Sequence, residues 1–201
     1  QSIDPWLKAY SEDWSFGYSW EYGGEAETSG KANASIAAKL PIAVVIIVLL
    51  LVAQFNSIRR PAIILLTIPL SLIGVTAGLL LAQSYIGFMT LLGIISLAGI
   101  VINNAIVLID RIDLNAAEPA VDTCDAIVSA CVQRLRPILL TTATTIGGML
   151  PLWLGGGPMW EPLAIAIIFG LAFATVLTLG VVPVLYSLFF RVSFAGYRTR
   201  A

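Results

Sequence analysis

Gly99-Ile-Val-Ile-Asn-Asn-Ala-Ile-Val-Leu-Ile-Asp110 closes the longest uncharged stretch of the chain, the 49 residues from Pro61 to Ile109. A membrane-spanning helix needs about 20 mainly apolar residues, so this stretch is long enough for two spans. Asn103 and Asn104 sit side by side within it. Hydrocarbon offers no water to a carboxamide, so such groups persist at membrane depth only where they face protein or a wet cavity. The pair is therefore the first candidate for function.

Working outward, the whole chain reads as a membrane protein. Of its 201 residues 58% are hydrophobic and 11% charged, and the mean hydropathy is +0.92, well outside the range of a soluble domain. The charges are clustered: before Ser57, at Arg59 and Arg60, between Asp110 and Arg136, at Glu161, and from Arg191 onward. The uncharged intervals divide into five spans near residues 40–54, 61–82, 86–109, 137–154 and 163–190. The helix-forming run Glu25 to Lys39 extends the first span out of the bilayer. The second and third part at Ala82-Gln-Ser-Tyr-Ile-Gly87, a turn with an interfacial tyrosine. The fourth and fifth part at Gly155-Gly-Gly-Pro-Met-Trp160.

Charge asymmetry sets an expected orientation. Arg59, Arg60, Arg111, Arg134, Arg136, Arg191, Arg198 and Arg200 all fall on one side of the five-span arrangement, and the two loops opposite carry no Lys or Arg. The positive-inside rule then puts the C-terminus in the cytoplasm and residues 1–39 outside. The chain opens on Gln1-Ser-Ile-Asp-Pro5 with no signal segment or earlier span to export those residues, which predicts a fragment of a longer polypeptide. Residues 1–38 read as the end of an external domain plus a linker helix. Within them Phe16 to Tyr22 alternate as a strand does, ended by Gly23-Gly24.

Other features are quieter. A net charge of -1 without a basic stripe argues against nucleic-acid binding. There is no histidine and no metal-ligand spacing, so neither a metal nor a cofactor is expected. No nucleophile, base or metal set shares a pocket, so no enzyme activity and no catalytic residue is expected. In the loop before the fourth span, Pro119 suits a first helical turn, and Ala120, Cys124, Ile127, Cys131 and Leu135 recur at helical spacing. This predicts an amphipathic cytoplasmic helix near 119–133 along the membrane surface, with the two cysteines as small packing residues. Its plainer reading is a connector.

Two polar stripes remain. Ser96, Gly99, Asn103, Ile106 and Asp110 recur every three or four residues on the third span, with Asn103 roughly 10 Å deeper than Asp110 at ~1.5 Å per residue. On the fourth span Thr141, Thr145 and Gly148 form a second stripe that can face the first. Packing explains much of this equally well, since membrane threonines bond their own backbone and interhelical amides act as glue. The Gly74-x-x-x-Gly78 spacing likewise marks a close helix contact of any kind.

The order of the segments adds a further argument. Gly23-Gly-Glu-Ala-Glu27 leads into a span and is followed by Phe55-Asn-Ser-Ile-Arg59 with Pro61 and Pro69. Then come Gly99 to Asp110, Arg134-Leu-Arg-Pro-Ile-Leu-Leu-Thr-Thr142 and Val182-Pro-Val184. Together these resemble the C-terminal part of a resistance-nodulation-division multidrug efflux permease of the hydrophobe/amphiphile branch. The resemblance implies an all-α membrane fold whose five spans are the last of twelve, preceded by the end of the second periplasmic insertion. It implies proton-coupled antiport of drugs or other amphiphiles, a homotrimer, and periplasmic adaptor and outer-membrane channel partners. It also implies a proton-relay region at Asn103, Asn104, Thr141 and Arg134, with Ser96, Asp110 and Thr145 as accessories. The family commonly has a lysine where Asn103 stands, so this chain departs from the pattern there. The alternative is a non-transporting scaffold or assembly module whose polar stripes only pack helices.

Overall fold

The computed structural model describes residues 25–118 and 121–192, together with Trp6 and Tyr10. The strand expected at Phe16 to Tyr22, Pro119 and Ala120, and the arginines 198 and 200 lie outside the described residues. Five long helices are present among the described residues: α1 (Glu25–Phe55), α2 (Arg59–Leu81), α3 (Phe88–Ala116), α4 (Thr123–Gly155) and α5 (Gly157–Phe190). All five are long and apolar enough to cross a membrane, and no strand occurs among the described residues. The fold is an all-α bundle of the kind the uncharged intervals predict, because in lipid each helix satisfies its own backbone.

The chain divides into two units, Gln1–Val45 and Ile46–Ala201. In the first, the rings of Trp6 and Tyr10 stack at 5.2 Å, and Lys31 pairs with Glu27 one turn earlier on α1. The second unit holds the bundle.

Within that bundle α5 is the axis, touching α2, α3 and α4. Five consecutive residues, Ala164 to Ile168, are buried. A run that long passes right round a helix, so α5 is enclosed on every side there, as expected of a helix apolar all round. Glycines let it be approached closely. A Cβ on Gly74 would stand 2.5 Å from the Cβ of Phe173, and one on Gly78 would stand 2.3 Å from that of Phe169. The Gly74-x-x-x-Gly78 spacing is thus a groove on α2 for two phenylalanines one turn apart on α5.

The interior is layered. One apolar cluster gathers Phe55, Ile63, Ile64, Leu108, Ile112, Ile127, Val182 and Tyr186. A second gathers Val75, Leu79, Leu97, Val101, Ile165, Ala166 and Leu171. Between them along each helix come the buried polar residues: Thr67 and Ser71 on α2, Asn104 on α3, Thr142 on α4, Thr175 and Thr178 on α5. A polar plane therefore crosses the middle of an otherwise apolar bundle.

Several boundaries differ from the sequence reading. Among the described residues no separate surface helix is seen near 119–133. Residues 123–133 are the first turns of α4, which runs unbroken through Pro137 to Gly155. Proline removes one backbone bond, and membrane helices tolerate that loss where neighbours re-satisfy the freed carbonyl. Of the expected apolar face, Cys124 and Ile127 are buried, joined by Ala126 and Ala130, whereas Leu135 is exposed, and the buried residues pack into the bundle as part of a long helix. Cys131 is half-buried against the first cluster. α3 continues past Asp110 to Ala116. α5 starts at Gly157 instead of near Leu163, because Gly157 takes a left-handed φ of 74° and Pro158 begins the helix. The 82–87 turn is as read, with Gln83 at φ 52°, and Tyr85 donates across to the carbonyl of Pro158 at 3.3 Å.

Candidate functional site

The polar plane contains a cavity of about 110 Å³ lined by Asn103, Asn104, Val107, Arg134, Pro137, Ile138 and Thr141. On α3, Asn103 and Val107 are one turn apart and share a face. On α4, Arg134, Pro137, Ile138 and Thr141 recur at helical spacing and form the facing wall. Antiparallel packing holds the two walls in register. Asn115 Nδ2 donates to Ser129 Oγ at 2.9 Å, and Arg111 Nε donates to Gln133 Oε1 at 2.6 Å. Going seven or eight residues inward from that last contact on each helix reaches the amides and Thr141.

Exposure separates rim from floor. Asn103 and Thr141 are exposed, whereas Asn104 and Ile138 are buried. The volume exceeds what a single water requires, and the lining supplies polar partners for one.

The hydrogen inventory shows what the cavity offers. Thr141 Oγ1 donates back to the carbonyls of Pro137 at 3.1 Å and Ile138 at 2.9 Å. Its one proton is thereby committed to its own helix, so toward the cavity it presents lone pairs. Arg134 is the reverse case. Its Nε is buried with no hydrogen-bond partner among the described residues, leaving a cationic donor at the cavity wall. Each carboxamide brings both a donor and an acceptor. The site can therefore receive a carboxylate through Arg134 and the amide N–H groups. It can equally receive a neutral carboxyl through Thr141 Oγ1 or an amide oxygen.

Of the seven residues singled out from the sequence, Asn103, Asn104, Arg134 and Thr141 come together around this cavity, and the other three do not line it. Ser96 is exposed about two turns away on α3, and Asp110 is exposed toward the helix end. Thr145 donates to the carbonyl of Thr141 at 2.8 Å, which fastens it to its own helix.

A second polar set, missed in the sequence, lies at the end of the bundle. Asp113 Oδ2 is 2.7 Å from Arg60 Nε, an ion pair whose geometry does not make a straight hydrogen bond. Tyr186 donates to Asp113 Oδ1 at 2.8 Å, and Arg60 Nη1 donates to the carbonyl of Phe55 at 3.0 Å. The Arg60 guanidinium also lies 5.7 Å from the centre of the Phe190 ring. Asp113 thus ties the ends of α2, α3 and α5 together. The available signal was that Arg59 and Arg60, at the head of a span, need a nearby acid. By spacing alone Asp110 and Asp113 are equal candidates, and the rotation of α3 selects Asp113.

Comparison with known proteins agrees with this architecture. The sequence model of the AcrB/AcrD/AcrF family matches residues 9–190. The swarming motility protein SwrC of Bacillus subtilis (strain 168) is 40% identical over 148 residues, covering 72% of this chain and 14% of SwrC. A heavy metal efflux pump solved in two crystal forms superposes with TM-scores of 0.73 and 0.68 at 28% identity, covering 94% of this chain and 19% of the pump. The chain spans less than a fifth of the length of these relatives. Five apolar helices with the family's motifs in order, and a family match over nearly every residue, lead to one conclusion: the chain belongs to the AcrB/AcrD/AcrF family of resistance-nodulation-division efflux permeases.

Proposed function

We propose that this chain supplies the last five spans of a proton-coupled efflux permease, and that the Asn103–Arg134–Thr141 cavity is one wall of its proton path. The observation that carries this reading is the cavity itself. In a bundle of apolar helices, one cation and two amides converge with a hydroxyl on a space large enough for water, and no acid among the described residues lines it. A titrating carboxyl would come from another part of the permease. Arg134 and the amide N–H groups receive it when ionised, and Thr141 Oγ1 and the amide oxygens receive it when protonated. Because Asn103 is neutral, Arg134 makes the one ion pair this wall offers, and the amides serve both states.

Under this reading the chain transports and does not catalyse a covalent reaction. It sits in the bacterial inner membrane with its C-terminus on the arginine-rich cytoplasmic side. Residues 1–38 belong to the end of a periplasmic insertion. The complete permease is a homotrimer that works with a periplasmic adaptor and an outer-membrane channel. Its substrates are drugs or other amphiphiles. A second substrate class, heavy metal ions, is favoured by one observation, the name of the pump whose structure resembles this chain over 94% of its length.

The test uses the full-length permease in cells lacking their own pumps, challenged in turn with amphiphilic dyes and with metal salts. Asn103→Leu is expected to abolish export of whichever class the wild type removes, with membrane abundance unchanged. Normal export by this variant would overturn the relay reading and leave the polar stripes as helix packing. Protection by the wild type against metal salts alone would replace the amphiphile reading with the metal one.

A further inference from the structure

We propose that Thr142 and Thr175 form a latch that sets where Thr141 stands in the cavity, making them positioning residues for the relay. The inference rests on the relay reading above and deepens it.

The run Thr141-Thr-Ala-Thr-Thr145 carries four hydroxyls, and three of them bond their own helix. Thr141 donates to Pro137 and Ile138, Thr144 to Leu140 and Thr141, and Thr145 to Thr141. Thr142 differs. Its Oγ1 lies 2.8 Å from Thr175 Oγ1 on α5, and both residues are buried. Proton counting fixes the direction of this bond. Thr175 has one hydroxyl proton and donates it to the carbonyl of Leu171 at 2.8 Å, so Thr142 is the donor and Thr175 the acceptor.

α4 needs such a fixing point here. Its buried residues are Cys124, Ala126, Ile127, Ala130, Ile138 and Thr142, and none of those from Ala143 to Gly155 is buried. Thr142 is thus the last buried residue of α4, and the helix meets α5 again near its end, where Trp153 lies edge-on to Phe169 at 5.8 Å. Just before Thr142, Pro137 removes one rung of the helix. Just after it, Gly147 and Gly148 stand in open space. Apolar packing alone therefore holds the middle of α4 weakly. Successive helical residues point about 100° apart, so anchoring Thr142 to α5 turns Thr141 toward the amides of α3. The stiff χ1 of a β-branched side chain passes that constraint from hydroxyl to backbone.

The experiment is done in the full-length permease. Thr142→Val keeps the shape and removes the donor. Export is expected to fall about three- to tenfold, the loss of one interhelical hydrogen bond, and the pH for half-maximal export should move. Thr142→Ser keeps the donor and should restore both. Thr175→Val should match Thr142→Val. Wild-type rate and pH profile in Thr142→Val would overturn the latch. So would a loss of membrane abundance at an unchanged pH profile, or a loss that serine does not restore, since each describes packing only. Asn103→Leu run in parallel separates the two readings. If it abolishes export while Thr142→Val is silent, only the latch fails; if it exports normally, the relay falls and the latch with it.

Discussion

Asp113 and Arg134 are both charged side chains within a bundle of apolar helices, and the bundle treats them in opposite ways. Asp113 has a partner for each oxygen, Arg60 on one side and Tyr186 on the other. That set is closed within the chain and knits three helix ends. Arg134 stands at the cavity with a buried Nε that nothing among the described residues accepts. Desolvating a charge costs several kcal/mol unless it is paired, so a bundle that finds a partner for one charge and leaves another open separates two kinds of work. The closed set holds the fold together. The open one holds a place for a group that arrives.

The contrast is sharpest in stability, measured as thermal unfolding of the purified full-length permease in detergent. Asp113→Leu should cost most, about 2–3 kcal/mol, because it leaves Arg60 without its counter-charge. The figure sits at the lower end because the Arg60 and Asp113 side chains remain 26% and 22% exposed. A variant as stable as the wild type would show that the pair is not structural. Tyr186→Phe removes one hydrogen bond to the same carboxylate and should cost about 1 kcal/mol. A cost as large as that of Asp113→Leu would put the weight of this end on the Tyr186 hydroxyl bond, since phenylalanine keeps the 4.5 Å stack on Phe190. Arg134→Met should change stability by no more than about 0.5 kcal/mol, since its Nε has no bond to lose, yet it should abolish export. A large loss of stability in that variant would erase the distinction between the two sets.

Much of the fold was legible because charge-free length is a direct consequence of the bilayer. The Ala82–Gly87 turn, the five spans and the Gly74-x-x-x-Gly78 contact all follow from composition and spacing. The cavity was partly legible, since Asn103 and Thr141, one residue from each stripe, line it together. Rotation and depth were not. Asp110 and Asp113 are three residues apart, and only the continuation of α3 to Ala116 and its angle about α5 decide which one meets Arg60. Thr141 and Thr142 are identical in sequence terms, and their divergence, one toward the cavity and one toward α5, is set by the partner helix. The helix boundary expected before Pro137 was misplaced because proline is a weaker stop inside a membrane bundle than in water.

The groove formed by Gly74 and Gly78 has a consequence for how the chain is made. Its partners, Phe169 and Phe173, belong to the last helix, so α2 reaches the bilayer long before the residues that fill it have been synthesised. At ~5–20 residues per second, the roughly 90 intervening residues take about 5–20 s to emerge. During that interval α2, α3 and α4 are inserted but lack the axis around which they close. The bundle therefore closes only after its final span is translated, and a stop codon early in α5, before Phe169, would leave α2, α3 and α4 without the residues that fill the groove.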